Sequence, residues 1–139
     1  MQHYKVHTPA DFNFAYDIVD GWAKEQPDKT ALCWCDDHGG ERTFTFSDIS
    51  SLSARTANYL RSLGIGKGDV VLLILRRRWE YWVAANSVHK LGAVLIPGSL
   101  QLTQKDIAYR ANAAQIKAII AVDDPFVIEQ VELAQPKAP

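Results

Sequence analysis

Apolar positions along this chain change period in a way that marks out its elements. Phe14, Ile18 and Trp22 recur at helical spacing behind Asn13, a residue suited to an N-cap, and Pro27 with Asp28 closes the segment. Residues 1–12 ahead of it read as a loose leader. Residues 31–35 (ALCWC) read as a strand, and 42–46 (RTFTF) alternate and should pair back as a hairpin. The turn between them, DDHGGE, has Gly39 and Gly40 to supply positive φ. Ser47 is expected to cap a second helix, with Ile49, Leu52, Thr56, Leu60 and Leu63 on its buried face and Gly64 as a left-handed terminator.

The pattern then changes character. Residues 70–75 (VVLLIL) are apolar without alternation, as in a strand covered on both faces at the middle of a parallel sheet. A third helix is expected over 79–91, stopped by Gly92, and a short strand over 93–96, stopped by Pro97 and Gly98. Thr103 and Asp106 have the spacing of a capping box at the start of a fourth helix, with Asp in place of the usual Glu. Residues 118–122 form a last apolar strand, followed by a turn or two of helix and a frayed tail over 135–139. From Val70 the order is strand, helix, strand, helix, strand. Two consecutive βαβ units predict an α/β fold, a mostly parallel sheet with helices on both faces, with the hairpin added in front. Residues 13–134 should form one α/β subdomain. Ligands on such sheets sit beyond the C-terminal ends of the strands.

Composition narrows the function classes. Of 139 residues, 47% are apolar and 22% charged, which supports a core and argues against disorder. The formal net charge is -1, so no broad basic surface points to nucleic acid. No apolar run approaches the ~18 residues a membrane span needs. The N-terminus lacks the apolar centre of a signal peptide, and the expected location is cytoplasmic. Cys33 and Cys35, two apart, should share one face of a strand as half-buried thiols in a reducing compartment. A metal reading, C-x-C-x-x-H with His38, falls short of the four ligands a structural zinc site uses.

Four segments invite a chemical reading, and each has a plainer one. GIGKGD (64–69) has the glycines of a phosphate loop in the wrong order: they close a helix and enter a strand, and Gly68 follows Lys67 where a P-loop has Ser or Thr. A helix stop and turn explains it. Arg76, Arg77 and Arg78 follow the buried strand, where three cations oppose the dipole of the next helix. They call for solvent, for Glu80, or for an anion. Residues 97–102 (PGSLQL) offer Ser99 and Gln101 in an otherwise ordinary strand-to-helix loop, with Gly98 permitting close backbone approach. Trp79, Tyr81 and Trp82 suit core and subdomain packing, with Trp79, Trp82 and Val83 sharing a helical face. No Ser/His/Asp set, metal cluster or spaced carboxylate pair stands out, so no catalytic and no metal-binding residue is assigned.

Several segments together resemble the medium-chain acyl-CoA synthetases of the AMP-binding, adenylate-forming superfamily. FNFAYDIVDGWA resembles that family's opening helix, TFTFSDISSLSARTANYLRSLGIGKGDVVLLIL its hairpin strand, helix, GxxxGD turn and buried strand, and KLGAVLIPGSLQLTQKDIAYR the medium-chain branch in particular. AIIAVDD fits the strand that follows, so the resemblance covers roughly residues 12–130. It implies a ligase that joins a carboxylic acid to coenzyme A (CoA) through an acyl-adenylate, in fatty acid metabolism, using ATP, Mg²⁺ and CoA. In that family phosphates lie in a Ser/Thr/Gly loop of the type S-G-T-T-G-x-P-K, with a lysine from a C-terminal lid. No glycine here is preceded by Ser or Thr, and neither element has a counterpart. Two positions carry over: Gln101 resembles a family position near CoA, and Arg110, in DIAYR, resembles an arginine region that approaches the CoA phosphate. Arg110 also lies one helical turn from Asp106 and can pair with it.

The expectation is therefore an N-terminal segment of an acyl-CoA synthetase that scaffolds the active site and is inactive by itself, its substrates being those of the parent enzyme. The alternative is a free-standing, non-catalytic α/β interaction or dimerisation module. An uncovered subdomain face predicts self-association in either case.

Overall fold

A computed structural model describes residues 8–138. Its second half is the predicted parallel sheet. β3 (Val70–Ile74) lies between β4 (Val94–Pro97) and β5 (Ile116–Ala121), parallel to both. β3 is central because Val71, Leu72, Leu73 and Ile74 alternate between two cores and none is more than 1% exposed. Val71, Leu73 and Leu75 face α2 (Phe46–Ser62) and α3 (Trp79–Lys90), through Ala57, Leu60, Ala84 and Val88. Leu72 and Ile74 face α4 (Gln104–Ala114) and α5 (Pro125–Ala134), through Ile107, Ala111, Val127 and Ala134. Helices therefore cover both faces. The fold class read from the sequence is that of the structure.

The first half is built differently. A π-helical turn over Phe14–Asp20 leads into the short α1 (Gly21–Glu25), and β1 (Thr30–Cys35) pairs antiparallel with β2 (Glu41–Thr45). Asn13 caps the first segment as expected, its Oδ1 accepting the Ala15 and Tyr16 N–H groups. A third cluster, Val19, Phe44, Ile49 and Val83, joins this half to α2 and α3.

Several local expectations need correction. The leading helix buries Ala15 and Val19 rather than Phe14, which is 49% exposed. The face turns by one residue because Tyr16 and Asp20 have tertiary partners on α3 and because Ala15 is small enough for close approach. Thr45, and not Ser47, caps α2: it forms a reciprocal capping box with Asp48. Ser53 and Ala57 lie at the centre of the buried face of α2, while Leu63 is exposed because it is the C-cap. Only Gly39 of the hairpin pair has positive φ, since Asp36 closes the turn by accepting N–H groups from His38 and Gly40. Cys33 and Cys35 share a strand face but are exposed, because no element covers that side of the hairpin among the described residues. Trp82 is exposed, while Trp79 packs on Phe44 with ring centroids 5.0 Å apart.

The chain after Asp124 forms a longer helix than expected. Asp124 caps α5 with Pro125 at its first position. Gln104 donates to the Leu133 carbonyl and Asn112 to that of Lys137, which ties α5 and the 3₁₀ turn Gln135–Lys137 to α4. The expected leader falls mostly on residues 1–7, outside the described residues, as does Pro139.

Candidate functional site

The crossovers fix where a ligand can approach. β3 exits toward α3 on one face, and its neighbour β4 exits toward α4 on the other. Their parallel pairing brings both exit loops to the C-terminal end of the sheet, where a crevice between them could receive a ligand. Such a crevice is present, an open depression of about 540 Å³ lined by Leu75, Arg76, Tyr81 and the loop from Gly98 to Gln101. Two segments that the sequence suggested separately, the arginine turn and the PGSLQL loop, thus meet across one gap. Tyr81, read from the sequence as a packing residue, lies at their junction. The parallel pairing of β3 with β4 would have foretold this, since it brings their exit loops side by side.

Within the loop, Ser99 Oγ accepts the Gln101 N–H at 3.2 Å, while the Gln101 side chain is exposed at the crevice. Gly98 has a different reason from the one expected. A Cβ there would sit 3.0 Å from Ile74 Cγ1 and 3.1 Å from Leu72 Cδ1, so the glycine lets the loop lie on the core rather than on a ligand. Arg110 lies on the exposed surface of α4 and does not line this crevice. The side chains Arg76, Ser99 and Gln101 offer hydrogen-bond donors and neutral acceptors. The lining includes no carboxylate, so its chemistry suits a polar, uncharged or anionic chain rather than a metal.

The GIGKGD segment lies at the opposite, N-terminal end of the sheet and is structural. Gly64 and Gly68 have φ of 86° and 84°. Asp69 accepts from Lys117 Nζ at 2.9 Å and from the Gly66 N–H at 2.7 Å, and these bonds hold its carboxyl below the usual carboxylate range. The Gly68 N–H donates to the Gly92 carbonyl. These amides serve the turn.

Comparison with known proteins decides the family, because residues 19–139 match the AMP-binding enzyme family. The chain belongs to that family. It is 40% identical over 128 residues to human acyl-coenzyme A synthetase ACSM3, mitochondrial, a match covering 88% of this chain and 22% of the relative. To rat ACSM5 it is 38% identical over 125 residues, covering 86% and 22%, and to rat ACSM4 38% over 122 residues, covering 84% and 21%. The chain thus spans about a fifth of the length of these relatives. The matches agree with the resemblance to medium-chain acyl-CoA synthetases read from KLGAVLIPGSLQLTQKDIAYR.

Proposed function

We propose that this chain contributes part of the N-terminal α/β domain of an acyl-CoA synthetase and forms one wall of the CoA approach. The observation that carries this reading is the crevice between the exit loops of β3 and β4, with the exposed Gln101 amide on it, in a chain that matches the AMP-binding family over residues 19–139. The parent reaction is carboxylic acid plus ATP plus CoA to acyl-CoA, AMP and pyrophosphate. Mg²⁺-ATP needs a phosphate cradle that holds developing charge. The crevice offers one guanidinium, the hydroxyls of Ser99 and Tyr81 and one side-chain amide, which suit contact with the amide-bearing arm of CoA and leave the nucleotide triphosphate to other sequence. Arg110 belongs to this reading as an outlying contact for a CoA phosphate. The 139-residue chain by itself is therefore inactive. Its exposed Tyr109, Phe126 and Leu133 favour self-association, which sedimentation at rising concentration tests. The cytoplasmic location stays part of the proposal, supported by two exposed, unpaired thiols, and fractionation tests it.

Two experiments test the function. The purified chain, given a medium-chain fatty acid and Mg²⁺-ATP, should release no pyrophosphate above background; turnover would refute its inactivity. Residues 13–134 grafted in place of the matching segment of human ACSM3 should retain thioester formation. In that chimera Gln101→Ala should raise KM for CoA and leave KM for ATP unchanged. A soluble, folded but inactive chimera would count against the scaffold role.

A further inference from the structure

Arg76 lines the crevice, yet no acidic group among the described residues fixes its guanidinium. Its neighbour Arg78 has Glu80 at 3.9 Å, while Arg76 and Arg77 form no ion pair among the described residues. Three adjacent cations repel one another, so the direction of Arg76 is set by the backbone that carries it. That backbone is left-handed, φ 54°, a region costly for a residue with a long side chain. Such a residue persists where its surroundings over-determine it. On the N-terminal side the restraint is the core: Leu75 is buried, and the Ile74 carbonyl accepts the Val122 N–H at 2.8 Å. On the C-terminal side the hairpin supplies the restraint. Trp34 and Arg42 are cross-strand partners, and both reach across to this region. The half-buried Trp34 donates from Nε1 to the Arg77 carbonyl at 2.8 Å, 43 positions away along the chain. The Arg42 guanidinium lies 5.2 Å from the centre of the Trp79 ring, which also packs on Phe44.

We propose that Trp34 is a positioning residue for the crevice: its indole N–H holds the Arg77 carbonyl, and with it the left-handed Arg76, so that the β1–β2 hairpin sets one lip of the CoA approach. The inference rests on the CoA reading above. Trp34 does not itself line the crevice and acts only through the turn. A hydrogen bond suits this task because it is directional. It fixes the plane of the peptide that follows Arg77, which apolar contact alone leaves free to turn. The hairpin, too small to carry a core of its own, thereby gains a role in the geometry of the site.

The test has two arms, both built on Trp34→Phe, which keeps an aromatic ring and removes the donor. In the full 139-residue chain, limited trypsin digestion should cut after Arg76 and Arg77 about 5-fold faster, the size expected for one neutral hydrogen bond. Cleavage after Arg55 and Arg61 in α2 should not change. In the ACSM3 chimera, Trp34→Phe should raise KM for CoA by about 5-fold and leave kcat and KM for ATP unchanged. A residue that only supports the fold would lower the melting temperature without that split. Arg76→Asn, which tolerates the left-handed backbone, should also raise KM for CoA. The double variant should be no worse than Arg76→Asn alone, because Trp34 acts through that side chain. Thr43→Ala, on the opposite, exposed face of the hairpin, should change none of these. Unchanged cleavage at the turn overturns the inference, as do effects that multiply in the double variant. An unmoved KM for CoA in Trp34→Phe, where Gln101→Ala raises it, overturns the inference and leaves the CoA reading standing. If Gln101→Ala also leaves that KM unmoved, the CoA reading falls and the inference with it.

Discussion

The two halves of this chain are held together by different physics. In the sheet half, four consecutive residues of β3 are almost wholly removed from water and supply aliphatic contact to both faces. The hairpin half has a two-stranded sheet and a short leading helix, too small to bury a core of its own. It is attached by the small apolar cluster of Val19 and Phe44 against Ile49 and Val83, and by a few specific polar tethers. Lys90 Nζ donates to Asp20 at 2.8 Å and to the Ser50 carbonyl at 3.1 Å, while Ser50 Oγ donates to the same Asp20 oxygen. Tyr16 and Asn13 donate to the carbonyls of Lys90 and His89. Aliphatic burial is distributed and tolerant of geometry, whereas a buried ion pair concentrates its contribution in one place and needs both partners.

The comparison can be broken from either side. Leu72→Ala removes a fully buried side chain from the centre of the sheet and should cost about 3–5 kcal/mol, read from denaturant unfolding. Lys90→Ala should cost about 3 kcal/mol by leaving Asp20 and the Ser50 carbonyl without their cation. It should act locally: hydrogen exchange would speed up over Phe14–Asp20 before the β3 amides respond, whereas Leu72→Ala should speed exchange everywhere. Equal exchange in both halves of the Lys90 variant would show that the tether is not local. Gly98→Ala should cost about 1–3 kcal/mol, because the added methyl meets Ile74, Leu72 and Leu102 at 3.0 to 3.2 Å. That loss should appear as a lower melting temperature even without any ligand.

Acid should produce the smallest effect and should not discriminate between the halves. Four aspartates are held below the usual carboxylate range. Asp36 belongs to the hairpin half, held by the Gly40 and His38 N–H groups, and Asp48 lies where that half enters α2, held by the Thr45 N–H and hydroxyl. Asp69 and Asp106 belong to the sheet half, held chiefly by Lys117 and by the Thr103 hydroxyl. A lowered folded pKa favours the folded state above the unfolded value, near ~4, and that contribution is lost as pH falls through the folded values. Melting temperature should therefore stay level from pH 7 to about 5 and decline below about 4. Asp36, Asp48 and Asp106 are exposed and Asp69 is half-buried, so the decline should be shallow and weaker in high salt.

Much of the fold was legible where local chemistry and burial agree. The unbroken apolar run of β3 announced a central strand, and Thr103 with Asp106 announced the start of α4, because each signal is contained within a few neighbouring residues. The errors lie where a distant partner outweighs the local pattern. The leading helix turned its face because Lys90, some 70 positions away, engages Asp20. Leu63 reads as a core residue by spacing, yet it lies at the helix terminus and faces solvent.

The sequence by itself determined the order of elements, the parallel sheet with helices on both faces, and the likeness to the AMP-binding family. The first two follow from periodicity, caps and glycine stops, which act over one turn or one strand, and the likeness rests on the resemblance of particular segments such as KLGAVLIPGSLQLTQKDIAYR. Tertiary structure alone decided that the loops after β3 and β4 share a crevice and that Gly98 answers to the core beneath it. It also decided that three arginines surround a hollow beside an exposed Trp82. The reason is the crossover geometry: residues 76 and 101 are far apart along the chain, and only the pairing of parallel strands places them at the same end of the sheet.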